Sequence, residues 1–201
     1  MQRSWDDTFA LAWASYIGGT TPVGAMLLDR DGTRVATGAN RRYSSEPVAG
    51  QLSGSRLAHA ELNALAGVDP LTDVRDHTLY STLEPCSLCV GASIQAGVGT
   101  VVYAAPDPYG GAASMRLDNR QVQLRRPDLL AEADLRWRDL GALLVLVFSI
   151  EVRRADGIVD AYRDRLPDLV TRAEDDRIRA TVRDAAAANA PWNEVRKALT
   201  A

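Results

Sequence analysis

His59 and Glu61 stand in "AHAELNAL", and Pro85, Cys86 and Cys89 in "EPCSLC", in a chain that has only two histidines and two cysteines. For these scarce side chains to act together, a fold must bring the starts of two separate segments into contact. Zinc takes such ligands, and a catalytic zinc uses three from protein and leaves a fourth position for water. Cys86 and Cys89, three apart at the start of a predicted helix, put both sulfurs on one face of one turn. A helix N-terminus favours negative charge, and so the thiolate form that binds metal. Pro85 fixes the start of that helix without giving up a hydrogen bond. His59 supplies the third ligand, and Glu61 points past the metal, where a carboxylate can accept a proton from zinc-activated water.

Plainer readings compete with this one. A Cys-x-x-Cys pair also serves redox chemistry, although the context of a thioredoxin-like site is missing. "HAE" can be only a helix start, and a purely structural zinc would need a fourth Cys or His. His77, the other histidine, begins the strand that leads to the cysteines and reads as a surface or turn residue.

At 201 residues the chain suits one domain with an appendage. No apolar run reaches the roughly 18 residues of a membrane span, and "LGALLVLVFSI" (140–150) reads as a buried helix. The start, "MQRSWDDTFALAW", lacks the pattern of a secretion signal. The expected location is therefore cytoplasmic, where cysteines are thiols or metal ligands rather than a disulfide. The net charge of −3 argues against a broad electrostatic grip on nucleic acid, while leaving room for a local basic patch.

Apolar periodicity predicts a helix over 4–17, capped by Ser4, and then a hairpin with strands near 23–28 and 33–38 around "DRDG". Residues 41–55 read as a polar loop and "RLAHAELNALAGV" as a helix. "HTLYSTLE" (77–84) reads as a strand, "PCSLCVGASIQAGV" as a helix, and "TVVYAAP" (100–106) as a strand. A further strand is expected at "QVQLRR", and a helix from about 127 to 153, broken at Gly141. This alternation predicts an α/β fold, a mixed sheet covered on both faces. Residues 154–201 form a helical C-terminal extension broken at "LPDL" and "NAPW". Val159, Tyr162, Leu166, Leu169, Val170, Ala173, Ile178 and Val182 form its packing stripe, and Trp192 is a candidate plug for a neighbour's pocket.

His-x-Glu followed by Pro-Cys-x-x-Cys is the signature of zinc-dependent base deaminases. With "TPVGAMLLDRDG", "GANR", "TLYSTLEPCSLCVGASI" and "VVYAAPDPYGGAAS", residues 5–153 resemble the cytidine/deoxycytidylate deaminase superfamily, nearest the tRNA adenosine deaminase and guanine deaminase branch. The resemblance implies a three-layer α/β/α fold with a central mixed five-stranded sheet, a bound Zn2+, a homodimer or larger oligomer, and hydrolytic deamination. It divides the chain into a deaminase domain, 1–153, and the extension, 154–201. Glu61 becomes the proton carrier, and His59, Cys86 and Cys89 the metal ligands. Asn40, Ala60, Asp107 and Tyr109 become substrate-binding positions, although Asn40 also fits a turn and Asp107 and Tyr109 a solvated loop. The acidic balance and the long segment from Asn40 to His59 favour a free nucleobase, nucleoside or similar small heterocycle. The basic helix of the tRNA enzymes appears only weakly, as "FSIEVRR" with Phe148, Arg153 and Arg154, which also counts against tRNA. The "APDPYGGAAS" loop and Asn40, in contrast, resemble the adenosine-editing enzymes and leave adenosine in tRNA as the alternative. A zinc-stabilised binding module without catalysis is a third reading, one that has no need of Glu61.

Overall fold

A computed structural model of the protein describes residues 2–116 and 118–200. Its centre is a sheet of β1 (Gly24–Leu28), β2 (Arg34–Ala39), β3 (Thr78–Leu83), β4 (Thr100–Ala105) and β5 (Asp128–Ala131), in the order β2-β1-β3-β4-β5. β1 runs antiparallel to β2 and β3, while β3, β4 and β5 are parallel. The hairpin turns where Asp29 accepts hydrogen bonds from the N–H groups of Asp31 and Thr33, at 2.9 and 2.8 Å.

Helices cover both faces, which is why every residue of β1 is buried. On one face lie α2 (Ala60–Ala66) and α3 (Ser87–Ala96), and Ala60 and Ala64 pack with Ala25 and Leu27 of β1. Gly38 permits this closeness, since a Cβ there would lie 2.1 Å from the Ala60 carbonyl. On the other face lie α1 (Gln2–Ile17) and α5 (Leu135–Phe148). Among the described residues no helix is long and apolar enough to cross a membrane.

Four expectations need correction. α1 begins before Ser4, whose carbonyl accepts from the Thr8 hydroxyl at 2.7 Å, so Ser4 is no cap. "QVQLRR" is no strand but the core of a short helix, α4 (Arg120–Arg125). Asn119 caps it by accepting from Val122 N–H at 3.0 Å, and Val122 packs with Val90 and Ile94 of α3. The fifth strand comes later, inside the segment expected to be helical from 127. α5 starts only at Leu135 and runs unbroken through Gly141, where a Cβ would lie 2.6 Å from the Thr82 carbonyl. Helical winding then loosens into a π-turn, Ser149–Arg153, and Arg154 turns the chain with φ 49°.

Beyond it come α6 (Asp156–Arg165), α7 (Pro167–Glu174), α8 (Asp176–Ala187) and α9 (Trp192–Thr200). The expected breaks fall at Pro167, in the first turn of α7, and at Asn189, with φ 52°. A third, at Asp175, caps α8 by accepting from Arg177 N–H. Tyr162, Val170, Ala173 and Val182 enter the same apolar cluster as α1 and α5. Trp192 stays within its own chain, its ring 5.3 Å from that of Phe9, and Trp13 donates to the Ala190 carbonyl at 2.7 Å.

Candidate metal centre and active site

His59 is the residue on which α2 begins and Cys86 the one on which α3 begins, both with extended backbone. Cys89 lies in the first turn of α3, and Pro85 precedes the helix rather than opening it. His59 Nδ1 lies 3.5 Å from each sulfur, and the sulfurs lie 3.6 Å apart. A disulfide would need about 2.05 Å, and both cysteines are free. Tetrahedral zinc, with bonds of about 2.3 Å to sulfur and 2.05 Å to nitrogen, separates two sulfurs by about 3.8 Å and a sulfur from a nitrogen by about 3.5 Å. The triangle has the dimensions of three corners of that tetrahedron. Among the described residues this is the one cluster of three such groups.

The electrostatics suit a cation. The Cys89 thiol, and then His59, stabilise the Cys86 thiolate and pull its pKa down to about 4. The shared proton and burial push Cys89 well up in turn, and the bond to Cys86 raises His59. A metal would hold these three donors with both thiols deprotonated.

Glu61 lies on the first turn of α2, 4% exposed, and burial is the main reason its carboxyl is raised. Ser81 of β3 donates to its Oε1 at 3.1 Å. Sequence reasoning missed Ser81, whose signal was a polar residue on the same strand face as Leu79. The Asn40 carbonyl oxygen accepts from the Thr20 hydroxyl at 2.7 Å and from Arg42 N–H at 3.1 Å. A backbone N–H can only donate, which fixes the amide's orientation and leaves its nitrogen as the donor. Arg41 N–H donates to the Ala58 carbonyl at 2.9 Å, which sets this turn beside His59. Asn63, also missed, bonds the Ala39 carbonyl at 2.9 Å and Leu52 N–H at 2.8 Å, and so pins the long loop to α2.

The remaining expected positions divide. Ala60 is fully buried, with its side chain in the core beneath β1. Asp107 accepts from the N–H groups of Tyr109 and Gly110, both at 3.0 Å, and so shapes its own loop. Tyr109 is 66% exposed. Glu84, a third missed residue, accepts from Asp107 N–H at 3.2 Å and Ala113 N–H at 3.0 Å. The loop returns to the metal helix through Ala112 N–H, which donates to the Pro85 carbonyl at 2.9 Å, and through pairing of Gly111 with Cys86. His77 stays outside the triangle. It sits at a turn as expected but is buried, its Nδ1 2.7 Å from Asp76.

Residues 3–105, just over half of the chain, match the family described as the cytidine and deoxycytidylate deaminase zinc-binding region. A cytosine deaminase from Candida albicans is 32% identical over 107 residues, covering 52% of this chain and 66% of the relative. A tRNA-specific adenosine deaminase from Rickettsia bellii is 26% identical over 137 residues, covering 66% and 88%. The chain spans less than two thirds of the length of several curated relatives that it matches. In fold it is similar to a guanine deaminase from Nitrosomonas europaea, with a TM-score of 0.55 at 22% identity over 73% of this chain and 82% of that one.

Proposed function

The chain belongs to the cytidine and deoxycytidylate deaminase family, and from that premise we propose that it is a zinc-dependent hydrolase releasing ammonia from an amino-substituted nucleobase, nucleoside or related small heterocycle. The observation that carries this reading is the triangle of His59, Cys86 and Cys89, with the buried Glu61 carboxyl held beside it by Ser81. The three donors would hold the ion, which when bound acts as a Lewis acid and lowers the pKa of water towards about 7. Glu61 moves the protons. It accepts one as water adds to the ring carbon that bears the amino group and passes it to the ring nitrogen, then takes the second from the new hydroxyl and passes it to the departing amine. The reaction balances with one water consumed and one ammonia released. Asn40 orients the substrate through its amide N–H, and the loop of Asp107 and Tyr109 borders the entrance. Residues 1–153 form the deaminase domain in this reading, 154–201 its extension, and a homodimer is the working assembly.

A small substrate is supported by the acidic net charge and by the loop that Asn63 pins down. One observation favours adenosine in tRNA instead. Arg42 and Arg153 lie on the Tyr43 ring, at 5.3 and 3.2 Å from its centroid, and among the described residues neither pairs with a carboxylate. Ammonia release from cytosine, adenine, guanine and their nucleosides, with Glu61→Ala as control, decides between them. Wild-type turnover of one of these supports the small-molecule reading. Silence on all of them, with inosine formed in a tRNA stem-loop, would replace it with the second.

A further inference from the structure

Among the described residues, the extension meets the entrance loop at one polar point. Tyr162, in the middle of α6, is fully buried, and its hydroxyl donates to the Pro106 carbonyl at 2.9 Å. Pro106 is the first residue after β4 and has no N–H, so only its carbonyl can anchor it. Next to it, Asp107 N–H binds one oxygen of Glu84, while Ala113 N–H binds the other. One carboxylate therefore clasps both ends of the loop, and Glu84 is two residues from the candidate ligand Cys86. At the end of α6, Arg165 and Leu166 line a cavity of about 310 Å³ together with Glu84, Pro106, Asp107 and Gly111. A phenylalanine at 162 would pack equally well against the apolar neighbours. The hydroxyl is useful only to the loop, since a buried phenol needs an acceptor.

We propose that Tyr162 is a positioning residue of the substrate entrance: through Pro106 it fixes the loop from Pro106 to Ala113, and with Arg165 and Leu166 it makes the C-terminal extension one wall of the cavity beside that loop. This rests on the deaminase reading for its link to substrate, but not for its link to the loop. The extension then acts on how well substrate is held and leaves the chemical step to Glu61.

The test uses full-length, zinc-loaded protein and compares Tyr162→Phe with Val182→Ala, which opens a cavity in α8 at a fully buried position away from the loop. Hydrogen exchange of the Asp107–Ala113 amides, zinc content, melting temperature, and kcat and KM on the best substrate of the panel are measured. In Tyr162→Phe those amides exchange about five- to tenfold faster and KM rises by a similar factor, the worth of one ordinary hydrogen bond. Its kcat stays within about twofold and its zinc content is unchanged. Val182→Ala lowers the melting temperature at least as far, yet leaves loop exchange and KM at wild-type values. Unchanged exchange in Tyr162→Phe, or the same rise in both variants, overturns the proposal, and so does faster exchange with no change in KM. If wild type deaminates nothing, the functional reading fails while the exchange comparison still decides whether Tyr162 holds the loop.

Discussion

The two faces of the sheet are made of different materials. All four tryptophans and both phenylalanines lie in the cluster of α1, α5 and the C-terminal helices. The face under α2 and α3 has smaller apolar side chains, and it carries His59, both cysteines and the buried polar groups of Glu61, Asn63 and Ser81. Large aromatic side chains remove much apolar surface from water, whereas burying a carboxyl opposes folding. Stability and chemistry are thus assigned to opposite sides of one sheet, and the aromatic side offsets what the polar side costs.

That division can be broken by experiment. Removing zinc with a chelator, or with Cys86→Ser, abolishes turnover in step with the metal content, while the far-ultraviolet circular dichroism of the folded chain persists. Unfolding on metal loss would show instead that the aromatic face does not suffice alone. Glu61→Gln lowers kcat by about 10²- to 10⁴-fold and melts no lower than wild type, because a neutral amide needs no charge desolvated. A variant keeping a tenth of wild-type turnover would remove Glu61 from the proton path. On the other face, Trp192→Ala costs about 3–5 kcal/mol in denaturant titration, through the lost contact with Phe9, with zinc content unchanged.

The smallest effect concerns Asp107, whose carboxyl is raised, first of all by burial. The folded protein holds that proton more tightly than the unfolded chain does. The resulting stability is complete at pH below the ordinary carboxyl range and is lost as pH rises through the raised pKa. Asp107→Asn removes the titration, so above that window the variant is slightly more stable than wild type, and in acid the gap closes. Melting curves across pH measure it, and a gap that widens in acid would contradict the sign.

The zinc triangle was legible because its residues are chemically scarce and because three-residue spacing on a helix leaves little freedom. The hairpin and the central strands were legible for a similar local reason, the unbroken apolar run of "GAMLL" and the Asp29 turn. What stayed hidden acts at long range. Ser81 meets Glu61 across 20 positions and Glu84 meets Ala113 across 29, and no local pattern marks either pair. "QVQLRR" looked like a strand because its apolar residues alternate. Asn119 and a single buried position, Val122, decided for a helix. Trp192 could be read as a plug for another molecule because a sequence does not say whose Phe9 it will meet.

The bond from Trp13 to Ala190 joins positions 177 apart in sequence. On a ribosome adding about 5–20 residues per second, the outer side of the first helix waits on the order of ten seconds or more for its cover to be made. Through that interval Phe9 and Trp13 remain sticky surface on a nascent polypeptide, and chaperone depletion during synthesis should harm yield far more than it harms the finished, refolded protein.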